Sequence, residues 1–102
     1  MIIIDPPGGA RFPLGTVVAT PGALKALGGM EDNATTWNLA TLLNRHAAGD
    51  WGDLCKDDRQ ANSDALKNGG RLLSSYTVDD QKIWIITEAD RSATTVLLPE
   101  EY

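Results

Sequence analysis

Leu72-Leu73-Ser74-Ser75-Tyr76-Thr77-Val78, Lys82-Ile83-Trp84-Ile85-Ile86-Thr87 and Thr94-Thr95-Val96-Leu97-Leu98 decide the fold of this chain. All three runs are rich in Ile, Val, Thr, Tyr and Trp, the residues that fit a pleated, half-buried surface. They are separated only by Asp79-Asp80-Gln81 and by Glu88-Ala89-Asp90-Arg91-Ser92-Ala93. Connections this short join antiparallel neighbours, so the runs predict a three-stranded meander. Ile83-Trp84-Ile85-Ile86 is apolar on both faces and is expected to be the central strand, with helices on one side. The last run, Thr94–Leu98, reads as a sheet edge whose extension Pro99 limits.

Upstream of the meander the pattern is helical. Thr16-Val17-Val18-Ala19 reads as a short strand that stops at Thr20-Pro21. A threonine at the N-cap with proline at the first helical position opens a helix over Pro21–Leu27, which Gly28-Gly29 closes. A second helix follows, capped by Thr35 or Thr36 and closed by Gly49. Leu39, Leu42, Leu43, His46 and Ala47 recur along it at the spacing of one buried face. A third helix spans Lys56–Lys67, turning Ala61 and Ala65 inward and stopping at Asn68-Gly69-Gly70. Residues 1–15, with three prolines and several glycines, are irregular. The 102 residues therefore read as one α+β domain: a small, mostly antiparallel sheet packed against two to three helices in the order β-α-α-α-β-β-β.

Composition bounds the function. The formal net charge is −5, and the nine Lys and Arg residues form no run. Nucleic-acid binders draw much of their affinity from neutralising phosphates, so direct nucleic-acid binding is not expected. Cys55 is the single cysteine, which leaves no disulfide and no zinc cluster and suits a reducing cytoplasm. Met1-Ile2-Ile3-Ile4 breaks at Asp5-Pro6, too soon for a signal-peptide core, and no apolar run approaches a membrane span. The expectation is a cytoplasmic domain with no cofactor, no metal and no membrane contact. The sequence leaves its oligomeric state open.

His46, the sole histidine, falls on the apolar face of the second helix. A catalytic role needs a base or nucleophile beside it. The plainer reading is a partly buried side chain whose positive charge suits a helix C-terminus. Cys55, flanked by Asp53 and Asp57, reads as a packed, inert thiol, because neighbouring carboxylates disfavour the thiolate. Asp50, Asp53, Asp57, Asp58 and Asp64 form the densest charge cluster, offset by Lys56 and Arg59. Asp57 and Asp58 suit the start of the third helix, where negative charge meets the helix dipole. The same cluster also suits a surface facing a basic partner, while its spacing departs from that of a calcium loop. Trp51 lies within it, either as a core plug or as an interface anchor. Trp37 and Trp84 read more strongly as core plugs. Asp90 and Arg91 lock a turn or form a recognition loop. The candidate partner-binding set is thus Asp50, Trp51, Asp53, Asp57, Asp58, Arg59, Asp90 and Arg91.

Gly49-Asp50-Trp51-Gly52-Asp53-Leu54, with Lys82 through Ser92 and Leu97-Leu98-Pro99-Glu100-Glu101-Tyr102, resembles a recurrent group of short plasmid-related proteins carried on plasmids, phages and other mobile elements. The resemblance extends over residues 12–102. It carries no catalytic motif and implies a setting in which small acidic proteins inhibit host defence nucleases, as anti-CRISPR and antirestriction proteins do. The expected function is a non-enzymatic interaction protein whose partner is a basic, nucleic-acid-binding protein or complex. Two alternatives stand beside it. One is a small ribonuclease-toxin-like enzyme drawing on His46, Arg71, Tyr76, Arg91 and Tyr102. The other is a structural protein that self-associates through a sheet edge.

Overall fold

The computed structural model describes residues 10–28 and 32–102. Residues 1–9 of the expected irregular segment, and Gly29 in the expected first-helix stop, lie outside the described residues. The element order is β1 (Thr16–Ala19), α1 (Pro21–Gly28), α2 (Asp32–Ala47), α3 (Lys56–Asn68), β2 (Leu72–Val78), β3 (Gln81–Thr87) and β4 (Ala93–Leu97), then a 3-10 turn (Pro99–Glu101). The fold is α+β, as the residue patterns imply.

The sheet order is β1-β4-β3-β2. The meander forms: β2 pairs antiparallel with β3 and β3 with β4. β3 has a partner on both sides, and Ile83 and Ile85 are fully buried beneath the helices. One expectation is corrected. β4 is an interior strand, because β1 pairs with it in parallel, Thr16 opposite Ala93 through Ala19 opposite Val96. The edges are β1 and β2.

The β2 edge is covered by the chain itself. The side-chain amide of Asn62, on α3, donates to the Leu73 carbonyl (2.7 Å), and its oxygen accepts the Leu73 N–H (3.1 Å). Two residues further, Asp53 N–H donates to the Ser75 carbonyl (2.7 Å), and Ser75 N–H donates to the Trp51 carbonyl (3.1 Å). Together these stand in for part of a fifth strand, which explains why a polar Asn62 is buried.

The helix starts follow their capping chemistry. Thr20 Oγ1 accepts the Ala23 N–H (3.1 Å), as an N-cap should, and donates its own hydrogen to Glu101 (2.6 Å). Glu101 also accepts the Leu98 N–H (2.8 Å), so the C-terminal turn is pinned to the start of α1. α2 begins at Asp32, three to four residues before the expected cap at Thr35 or Thr36. Its inner stripe is as expected, with Leu39, Leu42, Leu43, His46 and Ala47 all buried.

Two tryptophans depart from the core-plug reading. Trp37 is 74% exposed. Trp84 is half-buried and turned to the far face of the sheet, where its ring meets Tyr102 edge-on at 5.9 Å. The Tyr102 hydroxyl accepts a hydrogen bond from Arg71 (2.6 Å), which folds the C-terminal residue over that face.

The β2–β3 hairpin turns through Asp79 and Asp80 alone, both at positive φ (48° and 65°), with Val78 paired to Gln81. That is the geometry for which Asn-Gly is the preferred sequence. Replacing Asp79-Asp80 by Asn-Gly is therefore expected to raise stability by about 0.5–1 kcal/mol. An unchanged denaturation midpoint would show that the aspartates carry no strain.

Candidate functional site

His46 sits at the centre of the molecule with no exposed surface. Nδ1 lies 2.5 Å from Ser74 Oγ on β2, and Nε2 lies 2.9 Å from Thr87 Oγ1 on β3. Thr87 Oγ1 is 2.7 Å from Thr94 Oγ1 on β4, and Thr94 Oγ1 donates to the Leu14 carbonyl (2.6 Å). The far end of this chain fixes every proton in it. A carbonyl can only accept, so Thr94 spends its hydrogen on Leu14 and must accept from Thr87. Thr87 then accepts from the ring, which places the proton on Nε2. Nδ1 accepts from Ser74. Phe12 meets the ring edge-on at 5.2 Å and Trp51 at 5.7 Å, closing it off from solvent.

Burial pushes the His46 pKa down to about 3, and the Arg91 charge adds to this. The sequence reading of a partly buried, charge-favoured histidine is corrected: the ring is sealed and neutral. Its hydroxyl neighbours are arranged for structure, since no substrate could reach either ring nitrogen.

The enzyme alternative needs five side chains in one place, and the structure does not bring them together. His46 and Tyr76 are buried on the helix side of the sheet. Arg71 and Tyr102 pair across the opposite face. Arg91 extends its guanidinium to the carbonyls of Gly70 (2.6 Å), Glu88 (3.0 Å), Ala89 (3.3 Å) and Ala65 (3.2 Å). It thereby ties the end of α3 to the β3–β4 loop while lying over the Phe12 ring. Among the described residues, no group of three or more His, Cys, Asp and Glu side chains is placed to hold a metal ion.

The structure divides the partner-binding candidates. Trp51 is 9% exposed and stacks with Phe12 in the core. Asp50 pairs with Arg45 (2.7 Å), which holds its pKa below the ordinary carboxylate value, and its other oxygen accepts the Gly52 N–H (3.2 Å). Asp53 accepts from Thr77 (2.8 Å) and Lys82 (3.2 Å), and the Thr77 hydrogen bond is the main cause of its lowered pKa. Arg59 donates to the Leu54 (2.9 Å) and Gly52 (3.0 Å) carbonyls. Asp90 accepts the Ser92 N–H (2.9 Å), which forms the turn the sequence suggests, and the Ser92 side chain, followed by this N–H, lowers its pKa. These residues shape the loops on which they sit.

Asp57 and Asp58 are different. They stand in the first turn of α3, fully on the surface, as the dipole argument expects. α3 docks through Asn62, Ala65 and half-buried Leu66, while Ala61, expected inward, is exposed. Asp57 and Asp64 share its open side, and Asp58, four residues before Asn62, is exposed at the head of the docking stripe. Cys55 takes the N-cap position of α3 and is exposed, which corrects the packed-thiol reading. Its side chain makes no capping hydrogen bond.

Four residues escaped the sequence reading: Ser74, Thr87 and Thr94, which complete the buried network, and Asn62, which guards the β2 edge. The first three carried a signal in hindsight, being hydroxyl side chains at inward positions of strands. No protein-family model matches this chain, and no curated protein or solved structure matches it either.

Proposed function

We propose that this chain is a non-enzymatic interaction protein that presents the acidic side of α3 to a basic surface. The observation that carries this reading is the exposure of Asp57, Asp58 and Asp64 on a helix whose buried and half-buried side chains are Asn62, Ala65 and Leu66. A helix displayed in this way, on a chain of net charge −5, steers encounter toward positive grooves. Grooves of that kind are built to hold nucleic-acid phosphates. The resemblance of the loop and C-terminal stretches to plasmid-related proteins supports a partner among host defence nucleases. In that role the protein would act in the cytoplasm as an inhibitor of anti-CRISPR or antirestriction type, occupying a nuclease's DNA channel.

The experiment is a plasmid-cleavage assay with purified CRISPR effector and restriction complexes, each titrated with the protein. At least one nuclease is expected to lose activity, and the inhibition should weaken as salt rises. Full cleavage by every complex at saturating protein would overturn the proposal.

A further inference from the structure

We propose that His46 and its chain of hydroxyls form an acid-opened latch that holds residues Phe12–Leu14 onto the core. The latch is independent of what α3 binds. Its parts converge from distant stretches of sequence: the ring from α2, Ser74 from β2, Thr87 from β3 and Thr94 from β4. The last link reaches the Leu14 carbonyl, 80 residues away in sequence from Thr94. Phe12 and Leu14 are both buried, yet they belong to no helix or strand. What fastens this segment is the Thr94–Leu14 bond, the Arg11 N–H donated to the Ala47 carbonyl (2.8 Å), and the packing of Phe12 between His46, Trp51 and Arg91.

A proton from solvent can add only at Nδ1, the lone pair that accepts from Ser74. The ring then carries two N–H donors, and Ser74 must turn its hydrogen elsewhere. The new charge lies in a box closed by Phe12 and Trp51, with nothing opposite it. Arg91, from the β3–β4 loop, is of the same sign. In β2 the Tyr76 hydroxyl donates to the Asp50 carbonyl (2.5 Å), and the Asp50 carboxylate is engaged by Arg45 of the histidine's own helix. β4 offers no titratable group, Lys82 of β3 pairs with Asp53, and Arg11 and Lys25 are exposed.

Hydration of the imidazolium requires one wall of the box to move. The other walls are a helix, paired strands and the Trp51 loop, which is itself bonded to β2 through Ser75, whereas the last is the Phe12–Leu14 segment with its two fastenings. The segment opens first because it breaks the fewest bonds. The closed form excludes the proton and the open form accepts it near the ordinary pKa of 6.5. The closed form is therefore secure above pH 6.5, and the open population rises as pH falls toward 3, about tenfold per pH unit.

Nuclear magnetic resonance tests this on the intact chain. At pH 7 the His46 ring is expected to carry its proton on Nε2. Between pH 6.5 and 4 the Arg11 amide should lose about tenfold in exchange protection per pH unit, after correction for intrinsic exchange, while β3 amides remain protected. The His46→Gln variant should abolish this slope. Thr94→Val, which removes the donor to Leu14 and the acceptor of Thr87 but leaves the ring in place, should speed Arg11 exchange by about fivefold at pH 7. Three results would each overturn the latch: a proton on Nδ1, Arg11 protection that ignores pH, or loss of Arg11 and β3 protection in step.

Discussion

Truncating Ile85 to alanine is expected to cost about 2–5 kcal/mol, enough to unfold much of the population of a domain this small. Ile85 is fully buried and lies in the strand with partners on both sides, opposite Ser74 and Val96. The backbone there is held by two ladders, so the neighbouring chain cannot collapse into the space that the side chain leaves. The cavity then remains, and its cost adds to the lost burial. Urea denaturation gives the value directly. A variant within 0.5 kcal/mol of the parent would show that β3 does not form the centre of the core.

The second large effect is expected at Gly52, for a reason that owes nothing to hydrophobic burial. Gly52 adopts φ +72°, and a Cβ there would run into the Ser75 carbonyl oxygen. A left-handed backbone costs a non-glycine residue about 1–2 kcal/mol. Relief of the clash would pull the Trp51–Asp53 segment off the β2 edge, breaking two backbone hydrogen bonds worth about 1 kcal/mol each. Gly52→Ala is accordingly expected to lose roughly 2–4 kcal/mol. It should also expose the β2 edge, so the variant should aggregate more readily than one equally destabilised in the core. A soluble variant with an unchanged melting temperature would show that the loop does not rest on this edge.

The meander was legible because its residues repeat with period two and are separated by short polar turns. The placement of β1 was not. Four residues, Thr16–Ala19, fit either edge of a sheet, and the choice of β4 depends on hydrogen bonds from Thr16 N–H to Ser92 and from Thr20 N–H to Val96. Trp37 shows a signal that was present and outweighed. Two residues from Leu39 on a helix, it points about 200° away from the buried stripe. The bulk of a tryptophan argues for the core, but periodicity argues for solvent, and periodicity prevails. For His46 the stripe revealed burial and concealed charge state. The charge state follows from full burial and the Arg91 charge, and the tautomer from Ser74 and Thr87, 28 and 41 residues further along the chain, none of which a local pattern connects to it.

The candidate site divides along similar lines. The acidic cluster was visible as composition, yet its members have separate roles. Asp50 and Asp53 find cations in Arg45 and Lys82, contributed by α2 and β3. Asp57, Asp58 and Asp64 remain as the outward set. Exposed charges contribute little to folding, and the two in the first turn add dipole interactions of about 0.3–1 kcal/mol each.

The central claim is that the chain acts through the charge of α3, and the triple variant Asp57→Asn, Asp58→Asn, Asp64→Asn tests it most directly. The measurement is its effect on the nuclease that the plasmid-cleavage assay identifies as the target, compared with the parent at low and at physiological salt. The account predicts a folded variant that has lost at most about 1–2 kcal/mol of stability. Its inhibitory potency should fall by tenfold or more at low salt, and the salt dependence should flatten. A folded variant that inhibits as strongly as the parent, with the same dependence on salt, would contradict it.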